Sequence, residues 1–213
     1  MSGENALGSD HRTRQARVGD ELRRDTRDRL LKAAEQEFAA HGYAAATVTR
    51  LAAAARVSVQ TLYSAWGSKR ALLRGYMERA LPGGLSSPEE ASERFTAEMA
   101  PAQRLVELAD LVAEVAGRAS LGWRLYRDAA AVDPRIAEDW NELQLLRHRL
   151  IDQIISAIPE GALTAGLTRK AAIDTAWAIA SPESYELLVS RLGYTLDEFR
   201  GWLRQALLRA LLA

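Results

Sequence analysis

The chain contains no cysteine. That excludes a disulfide scaffold, a Cys-ligated zinc or iron–sulfur site and a thiol nucleophile. Histidine is nearly as scarce. His11, His41 and His148 are scattered, with no HExxH and no pair at helical spacing, so no metal site is expected. No apolar run approaches the ~20 residues that a membrane span needs. Residues 1–8 lack the basic-then-apolar order of a secretory signal. The expectation is a cytoplasmic chain with no membrane partner. Also missing are GxGxxG, a Walker loop, a nucleophile elbow and carboxylates paired among apolar residues. No catalytic residue, cofactor or enzymatic activity is expected.

What is present is a helical pattern on 213 residues, 48% of them hydrophobic and 26% charged. At roughly 100–200 residues per domain this allows one large domain or two small ones. The formal net charge of zero hides an asymmetry. Residues 1–85 hold 14 Lys/Arg against 9 Asp/Glu, and residues 86–213 hold 14 against 19. A basic N-terminal part on an acidic body suits an anionic partner at one end.

Residues 1–23 read as a flexible basic arm, with Arg12, Arg14 and Arg17. From residue 24 to 81 the pattern is helical and broken into short pieces. Leu30, Ala34 and Phe38 recur at helical spacing and stop at His41-Gly42. Thr47, Ser58 and Ser68 are each placed to cap a following helix. Pro82-Gly83-Gly84 then breaks the chain and marks the expected domain boundary. Ser87-Pro88-Glu89-Glu90 has the form of a capping box. Further helices are expected from Pro101 to about Ala116, from Arg118 to Ala131, and from Asp133-Pro134 to Ile158, the last spanning roughly 37 Å. Thr168, Ser181-Pro182 and Thr195-x-x-Glu198 open three more. No alternating strand pattern and no fixed-length repeat is found. The chain reads as all-α, with a domain over 24–81 and a second over 82–213.

The informative stretch is Thr47 to Leu73. Two short helices are separated by about three residues. The small Ala52, with Val57 five and Leu62 ten residues later, lets the second helix cross the first closely. This is helix-turn-helix geometry, in which the second helix presents its N-terminal residues to a DNA major groove. Its exposed face holds Val59, Gln60, Thr61 and Ser64. Gln can pair with adenine, and a Val or Thr methyl can touch a thymine methyl. The same spacing also suits an ordinary helical hairpin.

His41-Gly42-Tyr43, Thr47-Val48 and Val57-Ser58-x-x-Thr61-Leu62-Tyr63-x-x-Trp66-x-Ser68-Lys69-x-x-Leu72 resemble the N-terminal domain of the TetR family of transcriptional regulators. The resemblance covers about residues 29–75. It implies a homodimer whose paired three-helix heads bind a palindromic double-stranded operator. The C-terminal helices would form the dimer interface and a small-molecule pocket. Carried over by position, Thr47, Thr49 and Arg50 would contact DNA from the start of the second helix. Val59, Gln60 and Thr61, behind Ser58, would read bases. Tyr63, Ser64 and Lys69 would meet phosphates, Lys69 at a helix N-terminus where anions are favoured.

The sequence departs from the family's pattern at two places. Arg56 stands where Gly is usual in the turn; in a left-handed conformation it costs about 1 kcal/mol relative to Gly, and it could add a phosphate contact. Trp66 stands where Phe is usual.

In the body, Trp123, Tyr126 and Trp140 lie on adjacent middle helices and, with Arg127 and Asn141, are the expected ligand contacts. Each aromatic also suits a plain core. The last helix carries Phe199, Leu203 and Leu207 on a wide apolar stripe, and the helix after Thr168 offers the small Ala172 and Ala176. Together these suit half of a four-helix interface between two chains; burial within one chain is the other reading. The function expected is a ligand-responsive, DNA-binding transcriptional regulator acting as a repressor. The alternative is a helical small-molecule-binding or interaction protein that keeps the helix-turn-helix as scaffold.

Overall fold

The computed structural model describes the backbone of residues 4–80 and 94–213 and the side chains of residues 17–80 and 94–213. Among the described residues the chain is helical, with no strand beyond one isolated bridge between Leu163 and Leu212. It divides into two compact units, residues 1–76 and 77–213, here the head and the body. Pro82-Gly83-Gly84 and the Ser87 capping box lie outside the described residues.

The head begins with α1 (Glu4–Ala45). Where an irregular arm was expected, the backbone is helical from Glu4. Residues 4–23 contain no proline, and Gly8 and Gly19 each cost a helix only about 1 kcal/mol relative to Ala. Gly42, at φ 72°, breaks the helical course at the expected stop. Three helices follow: α2 (Val48–Ala54), α3 (Val59–Trp66) and α4 (Lys69–Ala80). The three capping hydroxyls act as their sequence positions predict. Thr47 Oγ1 accepts from the Arg50 amide at 3.3 Å, Ser58 Oγ from Thr61 at 3.0 Å and Ser68 Oγ from Ala71 at 3.0 Å. Leu30, Ala34, Phe38, Leu51, Leu62 and Leu72 form a closed core. Ala52 is buried at the crossing of α2 and α3, and the Val57 amide donates to its carbonyl at 2.9 Å.

The usual Phe-sized space does not hold Trp66 unaided. Gly75 on α4 lies under the indole; a Cβ there would sit 2.2 Å from the six-membered ring. The Arg27 guanidinium covers the ring, 4.2 Å from its centroid. The indole is thus accommodated by the absence of a side chain at Gly75.

The body is built on α5 (Pro101–Ala130), α6 (Pro134–Ser156), α7 (Arg169–Ile179), the short α8 (Pro182–Tyr185) with a π-helical turn (Glu186–Arg191), and α9 (Leu196–Leu211). The two helices expected over 101–131 are one. Gly117 sits inside it without breaking it, in the close approach of Leu196, whose Cδ2 would stand 3.2 Å from an added Cβ. Leu108, Ile154, Ile173 and Phe199 are among the core side chains from four helices. Arg204 fixes α9 to α5 by a two-pronged bond to Asp110, at 2.9 and 2.7 Å.

The residues expected at a dimer interface are core residues of one chain. Ala172, Ala176, Phe199, Leu203 and Leu207 are fully enclosed, so none of their side chains is left for a partner. The stripe is wide because α9 is packed by α5 on one side and α7 on the other.

Candidate functional site

Two surfaces carry chemistry, one in each unit. In the head, Ser58 starts α3 so that its first turn projects outward. Val59, Gln60, Tyr63 and Ser64 are exposed, and Val59 and Tyr63 are two of the chain's exposed large apolar side chains, at 37% and 49%. Apolar exposure at positions i and i+4 beside Gln60 has no packing purpose within the unit. It suits the methyl, base-edge and phosphate contacts of a major groove. Thr49 is exposed on α2.

Other expected contacts are engaged within the head. Thr47 caps α2. Arg50 donates through Nε to Glu37 at 2.8 Å, with Nη2 2.6 Å from His41 Nε2. Thr61 is half-buried, with its hydroxyl 2.8 Å from that of Ser58. Lys69 is half-buried; its Nζ donates to the Tyr43 carbonyl at 2.8 Å and lies 4.1 Å from the centroid of that ring. Its ammonium ties α4 to the end of α1.

Arg56 adopts φ 55°, the left-handed conformation for which the family's Gly is suited. Its side chain opens on a shallow groove with Arg29, Lys32 and Gln36 of α1. This cluster was not foreseen, because Lys32 and Arg56 are brought together by the α1–α2 packing rather than by spacing.

In the body, a cavity of about 110 Å³ lies between α5, α6 and α8. Trp123 and Trp140 meet edge to face across it, their centroids 5.7 Å apart. Arg127 lines it, as expected. Tyr126 and Asn141 do not. Tyr126 is fully buried, and Asn141 is exposed to solvent. Adjacent helical residues are turned by about 100°, so Asn141 leaves the face of Trp140, whereas Arg127, four residues after Trp123, stays on that face.

Sequence reading missed Arg147, Glu183, Tyr185 and Glu186, all on the cavity wall. Arg147 follows Trp140 by seven residues, two helical turns, and that spacing was the available signal. Its Nη1 donates to the carbonyls of Trp177 (2.8 Å) and Ala180 (3.2 Å), and its Nε to Gln144 (3.2 Å). The guanidinium also lies over the Trp177 ring at 4.6 Å. Burial pushes its pKa down to about 10, opposed in part by Glu183. The residues of α8 arrive by tertiary packing, for which nothing in their own neighbourhood is a sign.

Sequence and fold comparisons agree with this geometry. Residues 30–76 match the family model described as bacterial regulatory proteins, tetR family. A 56-residue stretch is 39% identical to the HTH-type transcriptional repressor SCO4008 of Streptomyces coelicolor, covering 26% of this chain and 29% of that protein. The fold is similar to that of NalD, the secondary repressor of the MexAB-OprM multidrug efflux pump in Pseudomonas aeruginosa. There the TM-score is 0.69 at 20% identity, over 89% of this chain and 98% of that one. A TetR-like regulator from Rhodococcus sp. RHA1 aligns with TM-score 0.60 at 19% identity, over 86% and 94% of the two chains. The head matches the helix-turn-helix domain of the TetR family over residues 30–76, and the fold over most of the chain is similar to that of TetR-family regulators. Among the described residues no helix is long and apolar enough to cross a membrane.

Proposed function

We propose that this regulator is a homodimeric repressor that binds a palindromic operator through α3 and is released when a small apolar ligand enters the body cavity. The observation that carries this reading is the exposed face Val59, Gln60, Tyr63 and Ser64 at the start of a capped second helix. Repression is supported by the likeness to SCO4008 and NalD, both repressors. Two heads read half-sites about one DNA turn apart. A ligand that favours another arrangement of the dimer weakens operator binding by its differential affinity for the two states. The partner surface is drawn from the outward side of α7 and α9, where Ala171, Thr175, Ala178 and Trp202 keep exposure. The exposed α3 face weighs against the scaffold alternative.

The test is fluorescence anisotropy on the chain's own upstream DNA and on a random duplex, over a salt series. The expected result is a specific complex whose affinity falls steeply with salt. Gln60→Ala should cost about 1–3 kcal/mol on the specific site and leave random DNA unchanged. Equal binding of both duplexes by wild type and variant would refute the reading.

A further inference from the structure

The cavity's charges are unevenly placed within an otherwise apolar wall. Three arginines line it, Arg124, Arg127 and Arg147, against two carboxylates, Glu183 and Glu186. Arg127 leans on Asp128 through Nε at 3.3 Å. Arg147 is different. Two backbone carbonyls, a Gln side chain and an indole face hold it in place, but none of them carries a charge to balance its own. Its Nη2 has no hydrogen-bond partner among the described residues. Arg124 lines the same wall and is exposed to solvent. A fixed, half-buried guanidinium whose Nη2 alone is left over is pre-organised to donate to one oxyanion.

We infer that the cavity takes an amphipathic organic anion, an apolar body ending in a carboxylate, with the carboxylate on Nη2 of Arg147 and with Arg124 adding positive charge to the same wall. The inference rests on the ligand-responsive reading above and names the chemistry of its ligand. The apolar end fits the aliphatic wall of Leu108, Val112, Leu143 and Ile151. A cationic ligand would instead enter beside three arginines. Glu183 opposes the anion, being exposed at the wall and close enough to act on Arg147. Neutralising it should therefore tighten binding, while neutralising an arginine should weaken it.

Three probes of matched length separate the charge classes: decanoate, decan-1-ol and decyltrimethylammonium, below their micelle concentrations. Tryptophan emission of the full chain reads their binding. Decanoate should bind about tenfold tighter than the other two, as a charge-assisted pair to Arg requires. Arg147→Gln should lose that preference, decanoate then binding no tighter than decan-1-ol, while Arg147→Lys restores part of it. Because Arg147 also pins two carbonyls, Arg124→Gln is the second variant. It should weaken decanoate severalfold at an unchanged melting temperature, and Glu183→Gln should strengthen it. Equal affinity for the three probes, or tighter binding of the cation, overturns the inference. So does an Arg124→Gln variant that, together with Arg147→Gln, binds decanoate like wild type. Operator release is read separately. Decanoate binding with the operator still held refutes the ligand-responsive function and leaves the inference; release by the cation alone does the reverse.

Discussion

The head and the body differ in how far along the chain their functional residues lie. The head's face is drawn from residues 47–69, and each helix there starts directly after a hydroxyl cap. The body's cavity draws on residues from Leu108 to Glu186. Caps and turns are local events, so a short motif specifies the face. A cavity exists only after α5, α6 and α8 have packed. The comparisons divide the same way: a family model matches the head, whereas solved structures at 20% identity or less match the fold over most of the chain.

The largest effect should come from breaking the body alone. Leu203 is fully buried among α5, α7 and α9, and Leu203→Ala should cost about 2–5 kcal/mol. If the two units unfold separately, amides of α9 lose hydrogen-exchange protection while those of α2 and α3 keep theirs. Equal loss in both would make the chain one cooperative unit.

The next variant tests the head's core. Gly75→Ala places a methyl 2.2 Å from the Trp66 ring, and overpacking of this kind costs about 1–3 kcal/mol. The clashing atoms belong to the six-membered ring, so Trp66→Phe should relieve most of the strain. The indole N–H that this change removes is buried without a hydrogen-bond partner among the described residues. Melting of the two single variants and the double variant gives the coupling energy. Strictly additive losses would show that Gly75 has another purpose.

What was legible in the sequence follows the same division. Thr47, Ser58, Thr168, Ser181 and Thr195 announced their helices because a cap is a contact between near neighbours. Arg56 in the left-handed turn was legible as a residue standing where Gly is usual. The dimer stripe was misplaced because an apolar face does not say whether its cover comes from the same chain or another. Phe199, Leu203 and Leu207 are covered by their own chain. The cavity was half legible. Trp123, Arg127 and Trp140 share helical faces, but Glu183 and Glu186 come from α8, whose approach no periodicity records.

A smaller effect separates folding from binding in the head. Arg56 holds φ 55°, so Arg56→Gly should raise stability by about 1 kcal/mol or less, the relief of the left-handed penalty minus glycine's added chain entropy. If Arg56, beside Lys32, meets a phosphate, the same change should weaken all duplexes alike and flatten the salt slope by about one unit. Higher melting with an unchanged salt slope would leave Arg56 as a strained turn residue only.

The smallest effect lies at the helix caps, and it contrasts the units by pH. Glu198 closes a capping box on α9: its Oε2 accepts from the Thr195 amide at 2.7 Å and the Thr195 hydroxyl at 2.9 Å. The amide bond first, and the hydroxyl second, hold its pKa below the ordinary 4.5, against a smaller opposing effect of desolvation. A carboxylate lowered in the folded state contributes stability that is fully present above its unfolded value and is lost as pH falls through the folded one. The window therefore opens below pH 4.5. In the head, α2 and α3 have no acidic residue in the first turn, and the residue three after each cap is Arg50 or Thr61. Glu198→Gln keeps an acceptor but no charge, so its melting deficit should be constant near neutrality and should shrink below pH 4.5. Probes on α9 should see the change and probes on α2 and α3 should not. A deficit independent of pH would assign the cap's worth to the hydrogen bonds alone, since the Gln carbonyl cannot titrate.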